Sequence, residues 1–93
     1  MGRRRFDHLF IEVSLALDAA IPRYAMWLAL HDQGFDPEGL SAEQATAFCG
    51  GPLRRFLSEH GYWLSPQNQL RVRRAVERYD PAVRTPEEHF ARF

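Results

Sequence analysis

The residue types that most often carry out chemistry in proteins are sparse here and form no recognisable catalytic set. The four histidines are scattered over four predicted helices, at His8, His31, His60 and His89. None of them has the HxxH or HExxH spacing that brings two imidazoles onto one helix face to bind a metal ion. The sequence therefore predicts no metal site. His60 stands just before Gly61, as expected for a helix C-terminus, where a partial positive charge is favoured.

Cys49 is the one cysteine of the chain, and its expected setting does not suit a nucleophile. A reactive thiol needs a neighbouring base and an electropositive environment. Cys49 is predicted to lie at a helix C-terminus, where the helix dipole raises the pKa of a thiol, so we expect a small buried apolar side chain. The adjacent carboxylates of Glu87 and Glu88 are explained by a predicted helix cap. We therefore predict that the chain is not an enzyme and that it binds no cofactor.

The most regular pattern of charged residues lies in a predicted helix between residues 66 and 79. At about 100° per residue, Arg71, Arg74 and Arg78 fall within roughly 60° of one another on this helix. The opposite side carries residues expected in the core: Val72, Ala75, Val76 and Tyr79. Guanidinium groups aligned in this way are suited to binding phosphates or carboxylates.

Two other interpretations of these arginines remain open. They can form a solvated helix face that binds nothing, or they can pair with the acidic first half of the chain. Residues 6–48 contain seven acidic residues and one arginine, whereas residues 50–84 contain seven arginines and three acidic residues. Within the helix itself, Arg73 and Glu77 are four residues apart and are expected to pair with each other.

The segment 52–79 also has some features of a DNA-binding helix-turn-helix. Three residues fall loosely at its apolar, glycine and apolar positions: Leu57, Gly61 and Leu70. Further arginines could extend the basic surface: Arg54, Arg55 and the N-terminal Arg3, Arg4 and Arg5. Against this interpretation, the turn is longer than usual, and its aromatic residues Tyr62 and Trp63 are expected to fill the core. The formal net charge of zero is also unlike that of most nucleic-acid-binding domains.

The first two predicted helices carry more apolar surface than a short helix pair usually buries. One side of the first helix holds Phe6, Leu9, Phe10, Val13 and Leu17, and Ile11 and Leu15 form a second stripe nearly opposite. The second helix places Tyr24, Trp27, Leu28 and His31 on one face, broadened by Met26 and Leu30. Either later helices cover all of this surface, or an exposed remainder that includes Ile11, Leu15 and Trp27 binds a protein partner.

The composition limits the class of protein. A chain of 93 residues with one cysteine forms one domain and no internal disulfide, and its apolar fraction of 45% is ordinary for a globular protein. The apolar stretch 9–21 is interrupted by Glu12 and Asp18, so it suits neither a membrane span nor a signal peptide. We expect a cytoplasmic protein that does not enter a membrane. All twelve basic residues are arginine, as coding by a GC-rich genome alone would also produce.

Helix start and stop signals divide the chain clearly. Helices are predicted over Phe6–Ala20, Pro22–Gln33, Ser41–Cys49, Pro52–Gly61 and Pro66–Tyr79, with a short last helix from Thr85 that holds Phe90 and Phe93. Pro22 either kinks one long helix or separates two. The predicted fold is all-α, a compact bundle of five to six short helices without a sheet. It spans residues 1–93 as one domain, with residues 1–5 as a flexible basic N-terminus.

These observations favour binding over catalysis. We expect a small protein–protein interaction or regulatory protein, such as an accessory subunit, that binds through its apolar helix face and its arginine-rich helix. The partner is another protein or a second copy of the chain. The alternative is a nucleic-acid-binding module that uses Arg71, Arg74 and Arg78.

Overall fold

The computed structural model describes residues 3–79 and confirms an all-α fold. Its five α-helices are α1 (Arg3–Leu17), α2 (Arg23–Asp32), α3 (Ala42–Phe48), α4 (Pro52–Glu59) and α5 (Pro66–Arg78), with a single 3-10 turn at Pro37–Gly39. Within this described range there is no strand. The predicted last helix from Thr85 lies outside the described residues.

The first two helices are separate rather than one helix kinked at Pro22. Helix α1 begins at Arg3, three residues earlier than the apolar pattern predicts, and ends at Leu17. Asp18 then takes a left-handed conformation, with φ of 51°, and the Ala19 N–H donates to the Ser14 carbonyl at 3.1 Å. This Schellman-type end turns the chain away from the α1 axis before extended Pro22 leads into α2.

Replacing Asp18 with glycine should raise the free energy of unfolding by about 0.5–1 kcal/mol, because glycine adopts the left-handed conformation without a Cβ clash. Gly34 provides the reverse control. Its φ is 84° and a Cβ there would meet open space, so Gly34→Ala should lower stability through backbone conformation alone. Urea denaturation of the two variants measures both effects. A loss of stability in Asp18→Gly would contradict the assigned helix end.

The remaining helix ends follow the predicted start and stop signals. At the end of α2, the N–H of Phe35 donates to the Leu30 carbonyl at 3.1 Å, across left-handed Gly34. Before α3, the Ser41 hydroxyl accepts from the Gln44 N–H at 3.1 Å, and the Gln44 side chain accepts from the Ser41 N–H at 3.3 Å. This reciprocal pair is the predicted capping box. Prolines occupy the first positions of α4 and α5, also as predicted.

All five helices contribute to one hydrophobic core. Helix α1 packs on α3 and α5, α5 also packs on α3, and α4 packs on α2 and α3. The predicted inward side of α4 is confirmed, with Leu53, Phe56 and Leu57 buried. The largest fully buried side chain is Phe48, at the end of α3. This core fixes which sides of α1, α2 and α5 face outward.

Candidate interaction surfaces

Helix α2 presents an exposed aromatic and aliphatic surface, which we call the α2 face: Tyr24, Trp27, Leu28 and His31. Tyr24 is 71% exposed and Leu28 is 38% exposed, while Trp27 is half-buried. Met26 and Leu30 lie on the inner side of the helix and are fully buried. The prediction that these two residues broaden the aromatic stripe is therefore wrong, because they form the opposite, core-facing side of the helix.

The rings of the α2 face stack on one another. Tyr24 and Trp27 have ring centroids 6.1 Å apart, and Trp27 and His31 have centroids 5.5 Å apart, with interplanar angles of 8° in both pairs. Spacings of three and four residues bring these rings together on one side of the helix. Stacking restricts the rotamers of the three side chains, so less conformational entropy is lost when a partner covers them.

An open groove of about 430 Å³ borders the α2 face and is lined by Phe6, Arg23, Tyr24, Trp27 and Glu38. The guanidinium of Arg23 lies 5.0 Å from the Phe6 ring centroid and 5.2 Å from that of Phe10. Arg23 also pairs with the carboxylate of Asp7. The groove is thus lined by aromatic side chains and by one basic and one acidic side chain, Arg23 and Glu38.

The second apolar stripe of α1 also faces outward in part. Leu15 is 59% exposed and Ile11 is half-buried, so later helices do not fully cover either residue. Leu15 and Glu12 of α1 line a small hollow of about 80 Å³ together with Arg71 of α5. Leu15 and Arg71 are thus brought together, whereas Trp27 lines the different groove beside α2.

The three arginines of the predicted pattern on α5 are all exposed, and we call Arg71, Arg74 and Arg78 the arginine row. Among residues 3–79 none of the three forms an ion pair, so the predicted alternative of pairing with the acidic first half is not found there. Arg73 instead pairs with Glu77 at 3.0 Å, as their spacing predicts. The opposite side of α5 buries Val72, Val76 and Tyr79, as expected, whereas Ala75, also predicted in the core, is only half-buried.

Arg54 and Arg55 make their contacts away from the arginine row. Arg54 stacks over the Trp63 ring at 5.2 Å, and Arg55 lines a hollow between α2 and α4. Trp63 is 70% exposed, so the prediction that it fills the core is wrong, while Tyr62 is half-buried. The Tyr62 hydroxyl donates to the carbonyl of Ala20 at 3.5 Å, which joins this turn to the connection between α1 and α2.

A buried polar cluster between α1 and the end of α5 was not predicted. His8 is 3% exposed and stacks on Tyr79, with ring centroids 4.1 Å apart. Its Nε2 lies 3.4 Å from Glu12, and the Arg5 guanidinium lies 5.5 Å from the Tyr79 ring centroid. The spacing of His8 and Glu12 on one helix was the only sequence signal of this cluster. Because Tyr79 follows Arg78 directly, the cluster fixes the end of the arginine row against α1.

Cys49 is fully buried, and burial raises the pKa of its thiol from an ordinary 9.0 to about 12. The nearby Arg73 opposes this shift only in part. At the surface above Cys49, Gln69 of α5 donates to the backbone carbonyl of Cys49 at 3.0 Å and ties α5 to the end of α3. The predicted small buried apolar role fits this position.

We expect native Cys49 to react with iodoacetamide at pH 8 at least about a hundredfold more slowly than in the denatured chain, because little thiolate forms and the sulfur is covered. The raised pKa also has a consequence for stability. The unfolded chain loses the thiol proton first, so Cys49 destabilises the fold as pH rises above about 9. Mass spectrometry after alkylation with and without urea tests the first expectation, and equal rates would contradict it.

Comparisons with known proteins give no further indication of function. The chain matches no protein-family model, no curated protein and no solved structure. In the part of the chain that the structure describes, no group of three or more His, Cys, Asp or Glu side chains is placed to hold a metal ion. No helix within residues 3–79 is long and apolar enough to cross a membrane. The exposed surfaces of α1, α2 and α5 are therefore the basis for a functional proposal.

Proposed function

We propose that this chain is a small protein-binding module, in a regulatory or accessory-subunit role, and that it binds its partner through the α2 face. The observation that carries the proposal is the exposure of Tyr24 and Leu28 beside half-buried Trp27 on one side of a short helix. Single exposed apolar residues are ordinary on soluble proteins. Exposed apolar side chains that form one contiguous patch, in contrast, are typical of protein interaction sites.

The chemistry of the α2 face suits a protein partner. Tyrosine and tryptophan are the side chains that most often supply binding energy at protein interfaces, especially where a polar rim surrounds them. Here Arg23 and Glu38 stand at the edge of the adjoining groove, and Asp32 is exposed at the end of α2. The acidic side chains would repel a phosphate backbone, whereas a protein can place basic side chains opposite them.

The exposed arginine row supports a second candidate function, nucleic-acid binding. The packing of α4 and α5 argues against a helix-turn-helix version, because α4 packs on α2 and α3 while α5 packs on α1 and α3. Side chains at the start of α5 also form hydrogen bonds within the fold. The Asn68 amide donates to the Ala16 carbonyl at 3.2 Å, and the Gln69 amide donates to Cys49. Side chains at the start of a recognition helix would instead need to reach base edges.

Purification of the tagged chain from its own cells, expressed at its natural level, tests the proposed function. We expect the wild-type chain to retain a protein in fixed stoichiometry, and the double variant Tyr24→Ser/Leu28→Ser to lose it. Trp63→Ser is the matched control, since it removes an equally exposed aromatic from another surface and should keep the partner.

Two results would contradict the proposal. One is a wild-type chain that native mass measurement finds only as a bare monomer. The other is a double variant that keeps the same partner as the wild type. Retention of nuclease-sensitive material that depends on Arg74 but not on Tyr24 would support the nucleic-acid candidate instead.

A further inference from the structure

We propose that the arginine row, together with Leu15 and Leu70 at its borders, is a second binding surface, and that it takes an acidic amphipathic helix of a protein partner. The surface is separate from the α2 face and does not depend on it. Its occupant is defined by two properties of the surface: the alignment of three exposed guanidinium groups and the apolar side chains on either side of them.

The geometry of α5 sets the length and direction of the surface. Arg71, Arg74 and Arg78 are spaced as i, i+3 and i+7, so the row runs along the helix for about 10 Å, or two turns. On one border, Leu70 is 47% exposed and lies about 40° around the helix from Arg74. On the other border, exposed Leu15 of α1 shares a hollow with Arg71.

Within residues 3–79, no salt bridge neutralises the charge of the row. Glu77 pairs with Arg73 at 3.0 Å. Glu12 lines the same hollow as Leu15 and Arg71, but its carboxylate lies 3.4 Å from the imidazole of His8 and forms no ion pair with Arg71. Among the residues that the structure describes, the three guanidinium groups of the row make no ion pair with any carboxylate. An occupant must therefore bring anionic groups, and carboxylates are suited to bidentate pairing with arginine.

The two leucines favour a helix over a nucleic acid. A phosphate backbone would satisfy the arginine row but would leave Leu15 and Leu70 without apolar contacts. An amphipathic helix supplies both chemistries, because its carboxylates at i, i+3 and i+7 have the same spacing as the row and its apolar residues lie beside them. Burying the two leucines also adds affinity that salt does not screen.

The probe is a synthetic helical peptide of about 18 residues with glutamates at i, i+3 and i+7 flanked by leucines. The control peptides carry glutamine in place of glutamate or serine in place of leucine, and a mixed-sequence DNA duplex is the third ligand. Fluorescence anisotropy at low and moderate salt measures binding to each. We expect the acidic peptide to bind at least about tenfold more tightly than either control peptide.

The variants separate the contributions of charge and apolar contact. We expect Arg74→Ala to weaken binding of the acidic peptide at least about tenfold, and Arg74→Lys to restore only part of it, because lysine cannot form a bidentate pair. Leu15→Ser should weaken peptide binding several-fold at both salt concentrations. Ser58→Ala, an uncharged exposed position on α4, which packs on α2 and α3 rather than on α5, is the matched control and should bind as the wild type does. Circular dichroism checks that each variant is folded.

Several outcomes would overturn the inference. The first is equal binding of the glutamate and glutamine peptides, or no binding of the acidic peptide at low salt. Tighter binding of the duplex, lost in Arg74→Ala but unchanged in Leu15→Ser, would identify a nucleic-acid surface instead. Self-association abolished by Arg74→Ala would make a second copy the occupant. The α2-face variant Tyr24→Ser/Leu28→Ser must bind the peptide like the wild type, so this result is independent of the proposed function.

Discussion

Replacing Leu30 with aspartate should lower the free energy of unfolding by at least about 5 kcal/mol, the combined effect of a lost core side chain and an unpaired buried charge. Leu30 is fully buried on the inner side of α2. A chain of this length has a total stability of about 5–14 kcal/mol, so the variant should be largely unfolded at neutral pH. Circular dichroism and urea denaturation measure the effect.

Leu28→Asp is the matched control on the same helix, since it introduces the same charge two residues away on the α2 face. We expect it to lower stability by less than about 1 kcal/mol, because a partly exposed aspartate keeps its hydration. If Leu28→Asp proved as damaging as Leu30→Asp, the orientation of α2 would be wrong and the α2 face would not be an outer surface.

Replacing Phe48 with alanine should lower the free energy of unfolding by about 3–5 kcal/mol, because it leaves a cavity where α3 meets the rest of the core. Phe48 is the largest side chain that the fold buries completely. Tyr24→Ala removes a similar ring from the exposed α2 face, and we expect it to cost less than about 1 kcal/mol. Denaturation curves of the two variants that differed by less than about 1 kcal/mol would contradict the burial pattern described above.

The positions of the helices could be predicted closely because their ends depend on local chemistry. Each helix-end signal works through residues no more than about four positions away, so it is visible in the sequence. The signals are the Ser41–Gln44 capping box, Ser65 before Pro66, and left-handed Gly34. The start of α1 at Arg3 was missed because the helix opens with Arg3, Arg4 and Arg5, which carry no apolar pattern, and its first turn has no acidic residue to mark a helix start. Propensity and capping decide the helix ends, and both are local properties.

The orientation of α2 could not be predicted from its apolar pattern. Both sides of this helix are apolar, with Tyr24, Trp27 and Leu28 on one side and Met26 and Leu30 on the other. Hydrophobic periodicity identifies a stripe, but it cannot choose between two stripes of similar strength. The packing of α4 against α2 makes the choice in the structure and turns the aromatic side outward.

Contacts between distant parts of the chain were also beyond local patterns. His8 and Tyr79 stack although they lie near opposite ends of the described chain, and no spacing rule joins them. The exposed alignment of Arg71, Arg74 and Arg78 was predictable, because it follows from helical geometry alone. That these arginines form no ion pair with the acidic first half among residues 3–79 was not predictable, since it depends on where the helices pack.

The central claim is that the α2 face is covered by a protein partner in the cell. Hydroxyl-radical footprinting, read by mass spectrometry, can compare the purified chain with the same chain in a native extract, whatever the identity of the partner. In the purified chain, exposed Tyr24 and Trp63 should both be oxidised readily. In the extract we predict that oxidation of Tyr24 falls several-fold relative to Trp63, because an interface excludes solvent from its central residues. An unchanged ratio of Tyr24 to Trp63 oxidation would contradict the claim.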